Sequence, residues 1–186
     1  MRKALLAAMF LFPGVSRADV LWGLGLRTSA QAIRSFDTGD RTALAGGGLQ
    51  LRVRFGATWG LEIAVEDLRG NAADGAYRRE SCPMTVTGSY HFDLGAVDFY
   101  LLAGIGGTKD EVSYVDAKGM TIEEDVRETH VHLGVGVERL FGPIGLAAEL
   151  RGVAMWRKDA DTTMPYAAVP AKAGGAELNL IGTYYF

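Results

Sequence analysis

The sequence predicts an all-β chain folded as a closed antiparallel up-and-down transmembrane β-barrel of about eight strands. Three observations predict it. Apolar and polar residues alternate with a period of two from one end of the chain to the other, and no amphipathic helix of useful length interrupts them. The connections between alternating segments are short and long in turn. The less apolar side of each segment is rich in Gly, Ala, Thr and Ser, punctuated by Glu, Arg and His, which suits a narrow interior. At 186 residues the chain holds one domain.

Residues 1–18 read as a signal peptide. Arg2 and Lys3 give a charged start, an apolar run follows to Val15, and Ser16-Arg17-Ala18 offers a small-residue cleavage site before Asp19. The run is too short to span a bilayer as a helix. Residues 19–186 then form the barrel domain. Cleavage removes three cationic residues, Arg2, Lys3 and Arg17, and moves the formal charge from -3 to about -6. An acidic mature chain lacks the basic patch that a nucleic-acid partner requires. The single Cys82 forms no internal disulfide and reads as an incidental thiol.

The strands follow in order. Val20 to Ala32 is a less regular first segment. Leu49, Leu51, Val53 and Phe55 alternate with Gln50, Arg52 and Arg54. Trp59, Leu61, Ile63 and Val65 then alternate with Gly60, Glu62, Ala64 and Glu66. Met84, Val86, Gly88, Tyr90 and Phe92 oppose Thr85, Thr87, Ser89 and His91, and a second less regular segment runs from Val97 to Gly107. Thr129, Val131, Leu133, Val135 and Val137 oppose His130, His132, Gly134, Gly136 and Glu138; Ile144, Leu146, Ala148 and Leu150 oppose Gly145, Ala147, Glu149 and Arg151. Leu178, Leu180, Gly182, Tyr184 and Phe186 close the set against Glu177, Asn179, Ile181, Thr183 and Tyr185. Each segment is long enough to cross a membrane when tilted. Short turns are predicted at 56–58, 94–96 and 141–143, and long polar loops at 35–43, 69–80, 109–125 and 157–173. This alternation gathers every long loop at one end.

Alternation alone does not orient a barrel, because a soluble ligand-binding barrel turns its apolar face inward. Lysine placement favours the membrane. Lys109, Lys118, Lys158 and Lys172 all fall in or beside the predicted loops, whereas a water-facing strand surface carries lysine along its length. Aromatics also gather near strand ends: Trp22, Phe55, Trp59, Tyr90, Phe92, Phe99, Phe141 and Tyr184 on the turn side, and Trp156 on the loop side. Interfacial girdles produce this distribution.

The C-terminus, Leu180-Ile181-Gly182-Thr183-Tyr184-Tyr185-Phe186, resembles the assembly signal of outer-membrane β-barrel proteins, with Leu180, Gly182, Tyr184 and Phe186 as its alternating apolar members. In length and loop pattern residues 19–186 resemble the small eight-stranded outer-membrane barrels of the OmpA/OmpX type. The resemblance implies the outer membrane of a Gram-negative bacterium, a periplasmic N-terminus and a plugged interior. It also implies contact with outer-membrane lipid and lipopolysaccharide, and with the barrel-insertion machinery during biogenesis. It names no single activity, because fold and function separate.

The candidate site is a lumen charge network of Arg52, Arg54, Glu62, Glu66, Glu128, His130, His132, Glu138, Glu149, Arg151 and Glu177, with His91 on the same side. An eight-stranded barrel is just wide enough for side chains to fill. Buried charges there must pair. The expected role is structural; the sharper reading is a gated ion or proton path through rearranging Glu–Arg pairs. His130 and His132 share a face, and i, i+2 imidazoles on a strand can converge on a metal, yet no second His pair or Cys cluster supports them. No metal, cofactor or catalytic residue is therefore assigned. Some barrels of this size modify the acyl chains of lipopolysaccharide, the deacylase type through a lipid-facing His and Ser two apart. Here Ser89-Tyr90-His91 reverses that order and lies toward the short-turn end. Gly104-Ile105-Gly106-Gly107-Thr108-Lys109 has the wrong spacing for a phosphate loop and no helix after it.

The acidic stretch 109–125 is a candidate for binding divalent cations or a basic extracellular partner. The leading expectation is thus a non-enzymatic outer-membrane barrel with an envelope-integrity or surface-interaction role. The alternatives are a small channel or porter for ions or hydrophobic solutes, a lipid A modifying enzyme, and a soluble ligand-binding barrel.

Overall fold

The computed structural model describes residues 20–36, 39–72, 75, 77–115, 118–157 and 172–186. They form eight strands: β1 (Val20–Ser35), β2 (Arg41–Phe55), β3 (Trp59–Ala72), β4 (Tyr77–Asp93), β5 (Asp98–Val115), β6 (Thr121–Phe141), β7 (Ile144–Arg157) and β8 (Lys172–Tyr185). Each pairs antiparallel with its sequence neighbour, and β1 pairs with β8, so the sheet closes with no free edge. The signal peptide and most of the fourth predicted loop lie outside the described residues.

The register sets the shape. From Asp110 the paired partners run through Ser81, Leu68, Gly46, Ser29, Asn179, Glu149 and Gly136, and return to β5 at Tyr100, ten residues nearer its start. A stagger of ten over eight strands, at ~3.3 Å rise and ~4.8 Å spacing, tilts the strands by about 41°. The three short turns each hold one glycine in the left-handed region, Gly56, Gly95 and Gly142, where other residues are strained.

The outer wall carries the apolar set in the expected phase. Leu26, Leu49, Ile105, Leu133 and Leu180 are each more than half exposed, which identifies a lipid-facing belt. Near the short turns Trp59 meets Tyr90 edge-on at 4.9 Å, Tyr90 meets Phe92 at 4.9 Å, and Phe92 lies 6.1 Å from Phe99. These rings form a girdle, and Trp156 stands exposed toward the other end.

The structure corrects the loops. The predicted loop 109–125 is mostly strand, since β5 runs to Val115 and β6 begins at Thr121. The loops at 35–43 and 69–80 shrink likewise. Beyond the apolar belt the outward residues become polar, so the alternation fades from the sequence while backbone pairing continues. The inward residues keep the alternation alive: Ala72, Tyr77, Val112 and Val126 pack together inside this extension, with Tyr114 against them. A second apolar cluster, Ile33, Leu44, Leu68, Val153, Met155 and Ala173, faces inward from β1, β2, β3, β7 and β8. The lumen is therefore charged over most of its height, and apolar clusters join the charges toward its long-hairpin end.

Candidate functional site

All eleven residues of the expected lumen network are inward and buried. In the middle layer Glu62 accepts from three arginines: Arg52 (2.6 Å from Nη2), Arg151 (3.0 Å) and Arg27 (3.0 Å). Glu149 accepts from Arg52 Nη2 (2.9 Å), Arg151 Nε (3.0 Å) and the Tyr100 hydroxyl (2.7 Å). Only Arg52 and Glu62 are register partners, across β2–β3; the other contacts reach across the lumen between strands that do not pair, or run along β7. Such shared, bidentate pairing offsets the cost of burying each ion.

Toward the short turns the network ends in a smaller group. Arg54 bonds Asp98 (2.7 Å) and Glu138 (3.4 Å), and the Tyr185 hydroxyl donates to Glu138 (2.7 Å). His91 stacks on Tyr100 with centroids 4.7 Å apart, and its Nε2 lies 3.0 Å from Ser89 Oγ. Toward the long hairpins the Ser29 hydroxyl lies within hydrogen-bond reach of both Glu66 and Asn179, and Asn179 donates to Glu177 (2.7 Å). At the height of the first apolar cluster Arg79 joins Asp110 (2.8 Å) to Glu128, and Ser81 donates to Asp110.

His130 and His132 sit side by side with rings 6.0 Å apart, each beside a threonine hydroxyl: Thr108 at 3.4 Å and Thr87 at 2.9 Å. Space for them comes from the opposite strand. A Cβ on Gly104, the register partner of His132, would fall 2.6 Å from its Nε2. Gly136 leaves room in the same way for the ring of Tyr100.

Arg27, Arg79, Asp98, Tyr100 and Asn179 are network members beyond those expected from the sequence, and Asp110, expected in the acidic loop 109–125, is instead buried among them. Arg27 and Tyr100 lie in the two irregular segments, while Arg79 and Asp110 lie in predicted loops. Their signal was parity: each stands an even number of residues from an inward neighbour on its own strand.

On the outer wall, beyond the apolar belt, seven of the eight strands present an exposed basic residue: Arg34, Arg41, Arg69, Arg78, Lys109, Arg127 and Lys172. Acidic neighbours pair three of them, Arg69 with Asp67, Arg78 with Glu80 and Lys109 with Asp125. The remaining strand, β7, places Trp156 opposite Lys172.

A closed eight-stranded sheet with a lipid-facing belt, an aromatic girdle near its short turns and a filled polar lumen admits one architecture. The chain folds as a small outer-membrane-type β-barrel. Solved structures agree on the fold. Neisserial surface protein A matches with a TM-score of 0.57 at 17% identity, over 89% of this chain and 97% of that one. A major outer membrane protein from Thermus thermophilus matches with 0.59 at 13%, over 89% and 99%. The outer membrane enzyme PagL matches with 0.52 at 15%, over 83% and 97%. No family model matches the chain, and no curated relative matches it by sequence. The barrel thus shares its architecture with proteins of different roles.

Proposed function

We propose that this barrel is a non-conducting, non-enzymatic outer-membrane protein that supports the envelope and presents its long hairpins and basic rim to partners. The observation that carries the reading is the double closure of the lumen. Interlocked arginines and glutamates run through it from one end toward the other, with Arg27, Arg79, Arg151, Tyr100, Glu138 and Glu149 each less than 2% exposed. Apolar clusters then line the long-hairpin end beside the paired Arg79, Asp110 and Glu128, and an apolar lining opposes ion passage. The basic rim just outside the apolar belt suits the phosphates of lipopolysaccharide, and residues 180–186 suit recognition by insertion machinery. All three histidines face the lumen, so no imidazole faces lipid as a lipid-deacylating pair requires. The likeness to PagL is one of fold.

Single-channel recording of the refolded protein in a planar bilayer tests this, with Glu149→Gln as companion. Insertion without resolvable current is the expected result for both. Reproducible current in the wild type, altered by Glu149→Gln, would turn the network into a gate and replace this reading with the channel.

A further inference from the structure

The short-turn end of the lumen holds an arrangement that a structural role for the charges leaves unexplained. His91, Asp98 and Glu138 come from three consecutive strands, and each offers one ligand-type atom, with no two of these atoms more than 4.8 Å apart. His91 is 4% exposed, and its Nδ1 is buried without a hydrogen-bond partner. The other edge of the ring is fixed. A Cβ on Gly60 would sit 3.1 Å from Nε2 and 3.7 Å from Cδ2, so that edge faces β3, and Ser89 Oγ, on β4 itself, meets Nε2 at 3.0 Å. The Nδ1 edge therefore turns away from β3, toward β5 and β6 and their carboxylates. When Nε2–H donates to Ser89, Nδ1 carries a bare lone pair, the form that binds metals.

We infer that His91, Asp98 and Glu138 form a binding site for one divalent transition-metal ion of the Zn²⁺ class, open to the short-turn end of the barrel. One imidazole nitrogen and two carboxylate oxygens suit such an ion, with water completing its shell. Ligand atoms about 3.4 Å apart are needed for bonds of about 2.1 Å in a tetrahedral site, so the group closes by a small side-chain movement. Asp98 is half-buried, at the first position of β5 beside the turn, and gives access. Glu138 is held in place by the Tyr185 hydroxyl at 2.7 Å.

Arg54 occupies the ion's electrostatic role in its absence, bridging Asp98 and Glu138. It must swing out when the ion enters, so it limits affinity. The surplus of acid in the lumen favours the exchange: among the described residues seven carboxylates are buried against five arginines.

Isothermal titration of the detergent-refolded protein with Zn²⁺, and the visible absorption of bound Co²⁺, test the site. One ion per chain is expected. Asp98→Asn and His91→Phe each weaken binding by about tenfold or more, Ser89→Ala weakens it severalfold, and Arg54→Gln tightens it. His130→Phe leaves it unchanged. Heat-modifiable gel mobility verifies that each variant is folded, and Asp98→Asn carries the test if His91→Phe is not. The site is overturned if folded wild type and Arg54→Gln both bind no ion saturably, if Asp98→Asn binds as the wild type does, or if Arg54→Gln fails to tighten binding.

Discussion

Arg151 shows how single residues hold this lumen. It is 1% exposed and reaches two carboxylates on different strands, Glu149 on its own strand β7 and Glu62 on β3. Removing one partner of a buried pair leaves the others uncompensated, at a cost of about 3–5 kcal/mol. Arg151→Met is therefore expected to lower the unfolding free energy of the micelle-bound barrel, read from its urea transition, by that amount. Arg151→Lys keeps the charge but not the planar fork, and recovers only part of the loss. An unchanged transition in Arg151→Met would mean that the network fills space without contributing stability. At this scale the sequence was informative where a charge stands on the polar face of a regular alternation, as at Arg52, Glu62, Glu149 and Arg151. It was silent about partners. Nothing in the sequence distinguishes Glu62, which gathers three arginines, from Glu66, because the register that converges side chains from β1, β2, β3 and β7 is a property of closure.

The strands were legible over the height of the apolar belt and not beyond it. Alternation fixes β4 between Met84 and Phe92 because lipid demands an apolar outer face and a tight lumen demands a small or polar inner one. Above the belt, water accepts polar residues on the outside, so Arg78, Glu80, Lys109 and Glu111 look like loop. Yet Arg78 pairs with Ser113 and Glu80 with Glu111 in an unbroken ladder. The same logic carries a depth-dependent prediction within one strand. On β6, Leu133 lies within the run of exposed Val131, Val135 and Val137, whereas Thr129 lies next to Arg127 at the polar margin. Leu133→Arg is expected to destabilise the folded barrel in bilayers by about 2–4 kcal/mol, and Thr129→Arg by about 0–1 kcal/mol. Equal costs at the two positions, measured by equilibrium unfolding from vesicles, would mean that the belt ends elsewhere.

At the scale of the whole molecule, closure and strand number fix the topology. Eight strands in up-and-down order return the chain to its starting end, so Val20 and Phe186 share an end with the turns at Gly56, Gly95 and Gly142. The Phe186 amide hydrogen-bonds the carbonyl of Trp22, which ties the first strand to the end of the last. The opposite end carries the long hairpins and the basic rim. A barrel inserted from the periplasm keeps its short turns and both strand termini on that side and sends the hairpins, with their extended polar surface, outward. An epitope tag inserted after Gly119, between β5 and β6, is therefore expected to bind antibody on intact Gram-negative cells. The same tag after Gly95, between β4 and β5, is expected to bind only after the outer membrane is permeabilised. Both glycines sit in exposed connections with positive φ, so neither insertion interrupts a strand, and loss of folding does not mask the answer. Labelling of both sites on intact cells would mean that the chain does not span the membrane. Labelling at Gly95 alone would invert the barrel, and the basic rim would then face the periplasmic leaflet, where lipopolysaccharide is absent.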